Sequence, residues 1–328
     1  MQDFSGLKKR ISNIIDCFSL CIWGQAVKKS QGGEIQSVMS IHALIDRVAV
    51  GLGAKFMPKY FRDGYDSQTI REHLQRVTLD VPQIGGESDY EVLANTGVGE
   101  LHAAFRMALW LGESCPTIIY HHGASEIPFD YGFKRIFLLN RHKTPVNYFL
   151  VRAPFHRSMK DFQHGIRTLD NVVAMLAVSV SLIEWLVQLN MKLGVGQILV
   201  AGTSLGGFIT NLHHIHYNSA NVYTPLLAGL AMHDAYLKSV YSRAVSAEAK
   251  DNGTVIESIL NFENDFARTD HSNVFPLLAR FDQLIRYEQQ KASYGDCPVA
   301  SINKGHTTGA LSYKQLRRHI FKYLFAYM

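Results

Sequence analysis

Between residues 1 and 76 the apolar positions recur at helical spacing. Leu7, Ile11, Ile14, Ile15, Phe18 and Ile22 share one face of a predicted helix, and residues 35–50 form a second amphipathic segment. A break at Gly51 and Gly53 and an aromatic-basic stretch at 56–62 follow. Residues 1–76 are therefore expected to be an N-terminal helical extension packed on the rest of the chain, with a lid or a dimerisation arm as the alternatives.

The texture changes near residue 77. Residues 77–81, 90–94 and 100–110 are β-prone and separated by Gly, Pro and Asn, the pattern of a β-meander. Short apolar runs then appear at 117–120, bounded by Pro and Gly, and at 198–201, which suits strands buried on both faces, and a further strand at 147–153 is closed by Pro154. The His-, Arg- and Ser-rich stretch 154–165 reads as a loop, and 166–193 as one long helix. Its apolar part, 172–189, carries Glu184 and several serines, so a buried core helix fits better than a membrane span. Further strands are predicted at 225–231, 276–281 and 298–302, and a closing helix at 312–325. A mainly polar helical insertion at about 235–273, broken at Asp251-Asn252-Gly253, separates the first two of these strands. Strands alternating with helices predict an α/β domain at 77–328, built on a mostly parallel sheet with helices on both faces.

Composition removes some function classes. Hydrophobic residues at 47% and charged residues at 19% supply an ordinary globular core. The net charge of +5 comes without any run of five Lys or Arg, so nucleic-acid binding is not expected. Cys17, Cys21, Cys115 and Cys297 are too few and too scattered for a disulfide framework, which favours a reducing, cytoplasmic setting. Lys8-Lys9-Arg10 before an apolar stretch loosely imitates a leader peptide. Asp16 interrupts that stretch and no small-x-small cleavage pattern follows, so an amphipathic helix is the reading and no membrane contact is expected.

The chemistry centres on Gly202-Thr203-Ser204-Leu205-Gly206, a G-x-S-x-G pentapeptide between a predicted strand and a helix. Alone it is a weak signal. A serine on such a turn has an exposed hydroxyl, but that hydroxyl is a poor nucleophile until a base takes its proton. His306, in Asn303-Lys304-Gly305-His306, follows the last predicted strand and is the candidate base. Asp282, just past the strand before it, is the candidate acid; Asp234, after the preceding strand, is the alternative. Two backbone N–H groups should receive an oxyanion: that of Leu205, after the nucleophile, and that of Ala124, in the turn His121-His122-Gly123-Ala124.

Other clusters point elsewhere. His213, His214 and His216 lack the spacing and the accompanying carboxylate of a helical zinc site, so packing roles and no metal are expected. His156-Arg157-Ser158 reads as a solvated loop, with anion binding as the alternative. Gly194-x-Gly196 precedes a strand instead of opening a helix, which excludes a phosphate-binding loop.

Taken together, residues 77–328 resemble the α/β-hydrolase superfamily. His122-Gly123-Ala124 is similar to its oxyanion loop, Gly202 to Gly206 to its nucleophile elbow, Asp282 to its acid and Gly305-His306 to its histidine loop. The resemblance implies a central mostly parallel sheet, a helical cap at 235–273, and cofactor-independent hydrolysis of a small-molecule acyl substrate through a Ser-His-Asp triad and an acyl-enzyme. An ester or thioester is the leading expectation. A peptidase or C–C hydrolase would use the same triad, and a non-catalytic scaffold binding a ligand or partner is a third reading. Tyr236, Tyr241, Ile256, Ile259, Leu260, Phe262 and Phe266 are candidates to line an apolar acyl pocket. The single glycine of the oxyanion loop and the N-terminal extension depart from the family pattern. A homodimer is left open.

Overall fold

Among the described residues, nine strands build one mixed sheet, in the order β1-β2-β3-β5-β4-β6-β7-β8-β9. The computed structural model describes residues 34–124, 126–137 and 144–326. The predicted helix near the N-terminus, with Lys8-Lys9-Arg10, Cys17 and Cys21, lies outside them. From His42 onward the chain packs as one unit.

The predicted meander is present as β1 (Thr78–Asp80), β2 (Asp89–Thr96) and β3 (Gly99–Leu109), paired antiparallel. The remaining strands are β4 (Thr117–His121), β5 (Asn147–Arg152), β6 (Ile198–Thr203), β7 (Val222–Leu226), β8 (Leu277–Ala279) and β9 (Ala300–Ile302). All pairings among these six are parallel, and β3 joins them antiparallel through β5. Every residue of β4, β5, β6 and β7 is buried, as strands covered on both faces must be.

Alternation along the strands sorts their side chains to two cores. Ile119, Phe149 and Val200 face the helix Leu169–Lys192, whereas Ile118, Tyr120, Leu150 and Leu199 pack with Phe133, Phe137, Leu316 and Ile320. The helix Leu169–Lys192 is long and apolar enough to span a membrane, but 72% of its most apolar window is buried inside the protein. It is the core helix expected from Glu184 and the serines.

Several element boundaries differ from expectation. The break predicted at Gly51 and Gly53 is absent: the helix Glu34–Phe56 runs through both, because a glycine inside a helix costs only about 1 kcal/mol and does not by itself end it. The stretch 154–165 contains a helix, Met159–Gly165, because Ser158 caps it by accepting from the Asp161 N–H. The strand predicted at 225–231 lies earlier, at Val222–Leu226. Its residues Val222, Tyr223 and Thr224 carry the β propensity, and Leu227 at φ 53° ends it. Pro225 was read as a strand start, yet it sits inside. Tyr223 donates to Asn273 and Leu227 to Leu277, so the missing proline N–H falls between the two rungs on that side. The helical insertion consequently begins with the helix Met232–Leu237. The break at Asn252 separates the helices Ala247–Asp251 and Gly253–Leu260.

Candidate active site

β4 is flanked by β5 on one side and β6 on the other, so the chain reverses its direction of winding there. In an open parallel sheet that switch point leaves a crevice at the C-terminal strand ends. The segments that leave the sheet at this end include the turn after β4, the Ser204 turn after β6, the Asp282 loop after β8 and the His306 loop after β9.

Ser204 joins β6 to the helix Leu205–His216 with φ 58° and ψ −113°. This non-glycine left-handed backbone costs about 1–3 kcal/mol and must be held by its surroundings. Glycines make the holding possible. A Cβ on Gly202 would lie 2.3 Å from the Gly206 carbonyl carbon, and one on Gly206 would lie 2.2 Å from the His121 carbonyl oxygen. Neither position admits a side chain. Serine at a helix N-cap ordinarily accepts from the first helical turn. Here no such cap bond forms, and the hydroxyl is turned to His306, whose Nε2 lies 3.0 Å from Ser204 Oγ.

His306 Nδ1 in turn lies 2.7 Å from Asp282 Oδ2. Asp282 Oδ1 accepts from the N–H groups of Leu284 (2.8 Å) and Ile285 (2.7 Å), which fixes the carboxylate in its own turn. With Asp282 as acceptor, Nδ1 carries the imidazole proton and Nε2 is free to accept from Ser204. Asp282 and His306 are buried, and Ser204 is half-buried and reachable. Burial pulls the His306 pKa down. The charge and hydrogen bond of Asp282, with the charge of Asp46 behind them, overcome this and hold it above the ordinary histidine value.

The alternative acid is engaged elsewhere. Asp234 forms a two-point ion pair with Arg286, through Nε at 3.0 Å and through Nη2. That partner, four residues beyond Asp282, was not visible from strand order.

At the β4 exit, Gly123 sits beside the elbow: a Cβ there would be 3.3 Å from the Thr203 carbonyl oxygen and 3.8 Å from Ser204 Cβ. His122 Nε2 accepts from the Ala153 N–H at 3.0 Å, so its proton is on Nδ1, which donates to the Gly123 carbonyl at 2.7 Å. The Glu126 N–H donates to the same carbonyl at 3.1 Å. A carbonyl held this way fixes its trans peptide plane, and the Ala124 N–H points to the opposite side. Glu126 completes the frame by accepting from the Gly123 and Gly132 N–H groups at 3.0 and 2.8 Å. Leu205, the first helical residue, has an N–H without an intrahelical acceptor.

The remaining clusters are internal. His213 is buried between Tyr223 and the carboxylate of Glu184, which corrects the expectation that no carboxylate accompanies these histidines. Glu184 arrives from another helix, so local spacing could not reveal it. Among the described residues no group of His, Cys, Asp and Glu could hold a metal ion. His156 is buried and faces the carbonyls of Pro154 and Ala124, so it does not lie in a solvated loop. Arg157 and Ser158 do line a surface hollow of about 660 Å³ with Arg62, Lys160 and Arg167. Its arginines are already paired with Asp63 and Asp161. Tyr236, Ile256, Ile259, Leu260, Phe262 and Phe266 are buried in the core, and the Tyr241 hydroxyl bonds to that of Tyr60.

No family model matches the sequence, and no curated protein matches it. Solved structures do. Acetyl xylan esterase 1 from Thermoanaerobacterium sp. JW/SL YS485 is 14% identical, with a TM-score of 0.50 over 88% of this chain and 99% of that one. An acetyl xylan esterase from Paenibacillus sp. R4 is 11% identical, with a TM-score of 0.53 over 90% of this chain and 100% of that one. At such identities the likeness is one of fold.

Proposed function

We propose that this chain, which has the α/β-hydrolase fold, is a serine hydrolase that cleaves a carboxylic ester or thioester of a small molecule through an acyl-enzyme. The observation that carries the reading is the relay from Ser204 Oγ to His306 Nε2 and from His306 Nδ1 to Asp282 at 3.0 and 2.7 Å, on a strained turn that presents the hydroxyl. Ser204 attacks the acyl carbon while its proton passes to Nε2, and Asp282 stabilises the imidazolium. The N–H groups of Leu205 and Ala124 receive the oxyanion. Protonated His306 then gives its proton to the leaving group, and water attacks the acyl-enzyme with His306 again as base. None of these steps requires a metal or cofactor.

The test is labelling of the wild-type protein with a fluorophosphonate and turnover of p-nitrophenyl esters of graded chain length. Absence of both signals would sink the reading in favour of a ligand-binding scaffold. The apolar side chains of the 232–266 insertion are used in packing, so acetate and butyrate esters are expected to be turned over faster than octanoate and longer ones. A preference for long chains would mean that these residues do open into an acyl pocket.

Attack requires His306 to be neutral. Its pKa is raised, so activity should be lost on acidification through a value above 6.5, the ordinary value for histidine. A profile of kcat/KM against pH from 5 to 9 checks this; an acid limb centred below 6.5 would contradict it.

A further inference from the structure

A third carboxylate lies behind the Asp282–His306 pair, and it comes from outside the sheet. The helix Glu34–Phe56 presents Asp46, at 0% exposure, to the two loops that carry that pair. Asp46 Oδ2 accepts from the N–H of His306 itself at 2.8 Å and from that of Gln283 at 3.1 Å, and Oδ1 accepts from Thr307 at 2.9 Å. The three donors span the histidine loop and the residue next to Asp282. A group that accepts three bonds and gives none acts as an ionised carboxylate does. The approach depends on Gly305, where a Cβ would lie 2.8 Å from Asp46 Oδ2 and 3.0 Å from the His42 carbonyl oxygen. The same helix adds a bond between His42 Nδ1 and Thr308 Oγ1 at 2.9 Å, and His42 stacks on Phe281.

We propose that Asp46 is a positioning residue of the active site: its carboxylate ties the His306 and Asp282 loops together from behind, and its charge favours the imidazolium formed when Ser204 gives up its proton. The inference rests on the serine-hydrolase reading. It makes the helix preceding the sheet part of the catalytic framework instead of a packing accessory. Two loops that leave different strands must hold a 2.7 Å contact through the reaction, and Asp46 is bonded to both. The charged and titratable groups around this carboxylate are Asp282 and His306 on the loops, Lys304 beside them, and His42 and Arg47 on the helix.

Asp46→Asn separates this role from simple docking. The amide keeps the shape and one acceptor, but its NH₂ confronts backbone N–H groups and its charge is gone. With kcat counted per site titrated by fluorophosphonate, the expected loss is about 10- to 100-fold, by analogy with the loss on removing an outer-shell partner that orients a metal-ligating side chain. KM should change little, and the acid limb of kcat/KM should move to lower pH, because one of the charges that raise the His306 pKa is removed. A purely structural role would lower the melting temperature and leave kcat per titrated site and the acid limb where they were; that result overturns the proposal. Should Asp46→Asn not fold, Asp46→Glu takes its place, with its charge kept and its carboxylate one methylene too far. The expectation is then an unshifted acid limb with kcat reduced about tenfold, within the same range, and wild-type kcat overturns the proposal. Failure of the wild type to label or turn over would refute the hydrolase reading instead, so the two failures are distinguishable.

Discussion

Ser204→Ala is expected to abolish fluorophosphonate labelling and to lower ester turnover by about four to six orders of magnitude, the loss that follows removal of a serine nucleophile. The fold should survive. The hydroxyl makes no cap bond to the helix Leu205–His216, and its bond is to His306. Alanine keeps the Cβ that already sits at φ 58°, so the strain of the turn is not increased. Melting temperature and circular dichroism should therefore match the wild type while activity is lost. Turnover or labelling that persists in the variant would remove Ser204 from the mechanism, whatever its geometry.

Exchange of Asp282 for asparagine should cost about 10⁴-fold in kcat, because it reverses the histidine tautomer. Asp282 Oδ1 takes the N–H groups of Leu284 and Ile285, so the amide oxygen of an asparagine must stay on that side. Its NH₂ then faces His306 Nδ1, which has to become an acceptor, and the imidazole proton moves to Nε2. A protonated Nε2 cannot accept from Ser204. Asp234→Asn is the control with the opposite pattern. It breaks the ion pair with Arg286, and its cost should appear as a lower melting temperature with turnover retained within a few-fold. If Asp234→Asn lost orders of magnitude and Asp282→Asn did not, the acid would be Asp234.

Much of this fold is legible along the chain because its physics is local. Runs such as Ile118-Ile119-Tyr120 carry apolar side chains on both faces since helices cover both faces of those strands, and the meander shows its turns as Gly, Pro and Asn. Pro225 misled for a local reason as well: a proline usually marks a strand edge, and only a gap between two backbone bonds on its neighbour's side lets it sit inside β7. The glycines around Ser204 announce a close approach, although what they approach, the carbonyls at the end of β4, is far away in sequence.

Local sequence is enough to place three groups just past strand ends on one side of the sheet: Ser204 after β6, Asp282 after β8 and His306 after β9, whereas Asp234 lies further on, in the helix Met232–Leu237. Strand ends are set by turn chemistry and hydrophobic runs, which act over a few residues. Which of these groups meet is set by the packing of distant segments. Asp234 is bonded to Arg286, Asp282 to His306, and Asp46, some 260 positions from His306, to the backbone of both loops. A carboxylate in the middle of a helix carries no local mark of its partner. Its role exists because folding buries it among N–H donors that water would otherwise satisfy.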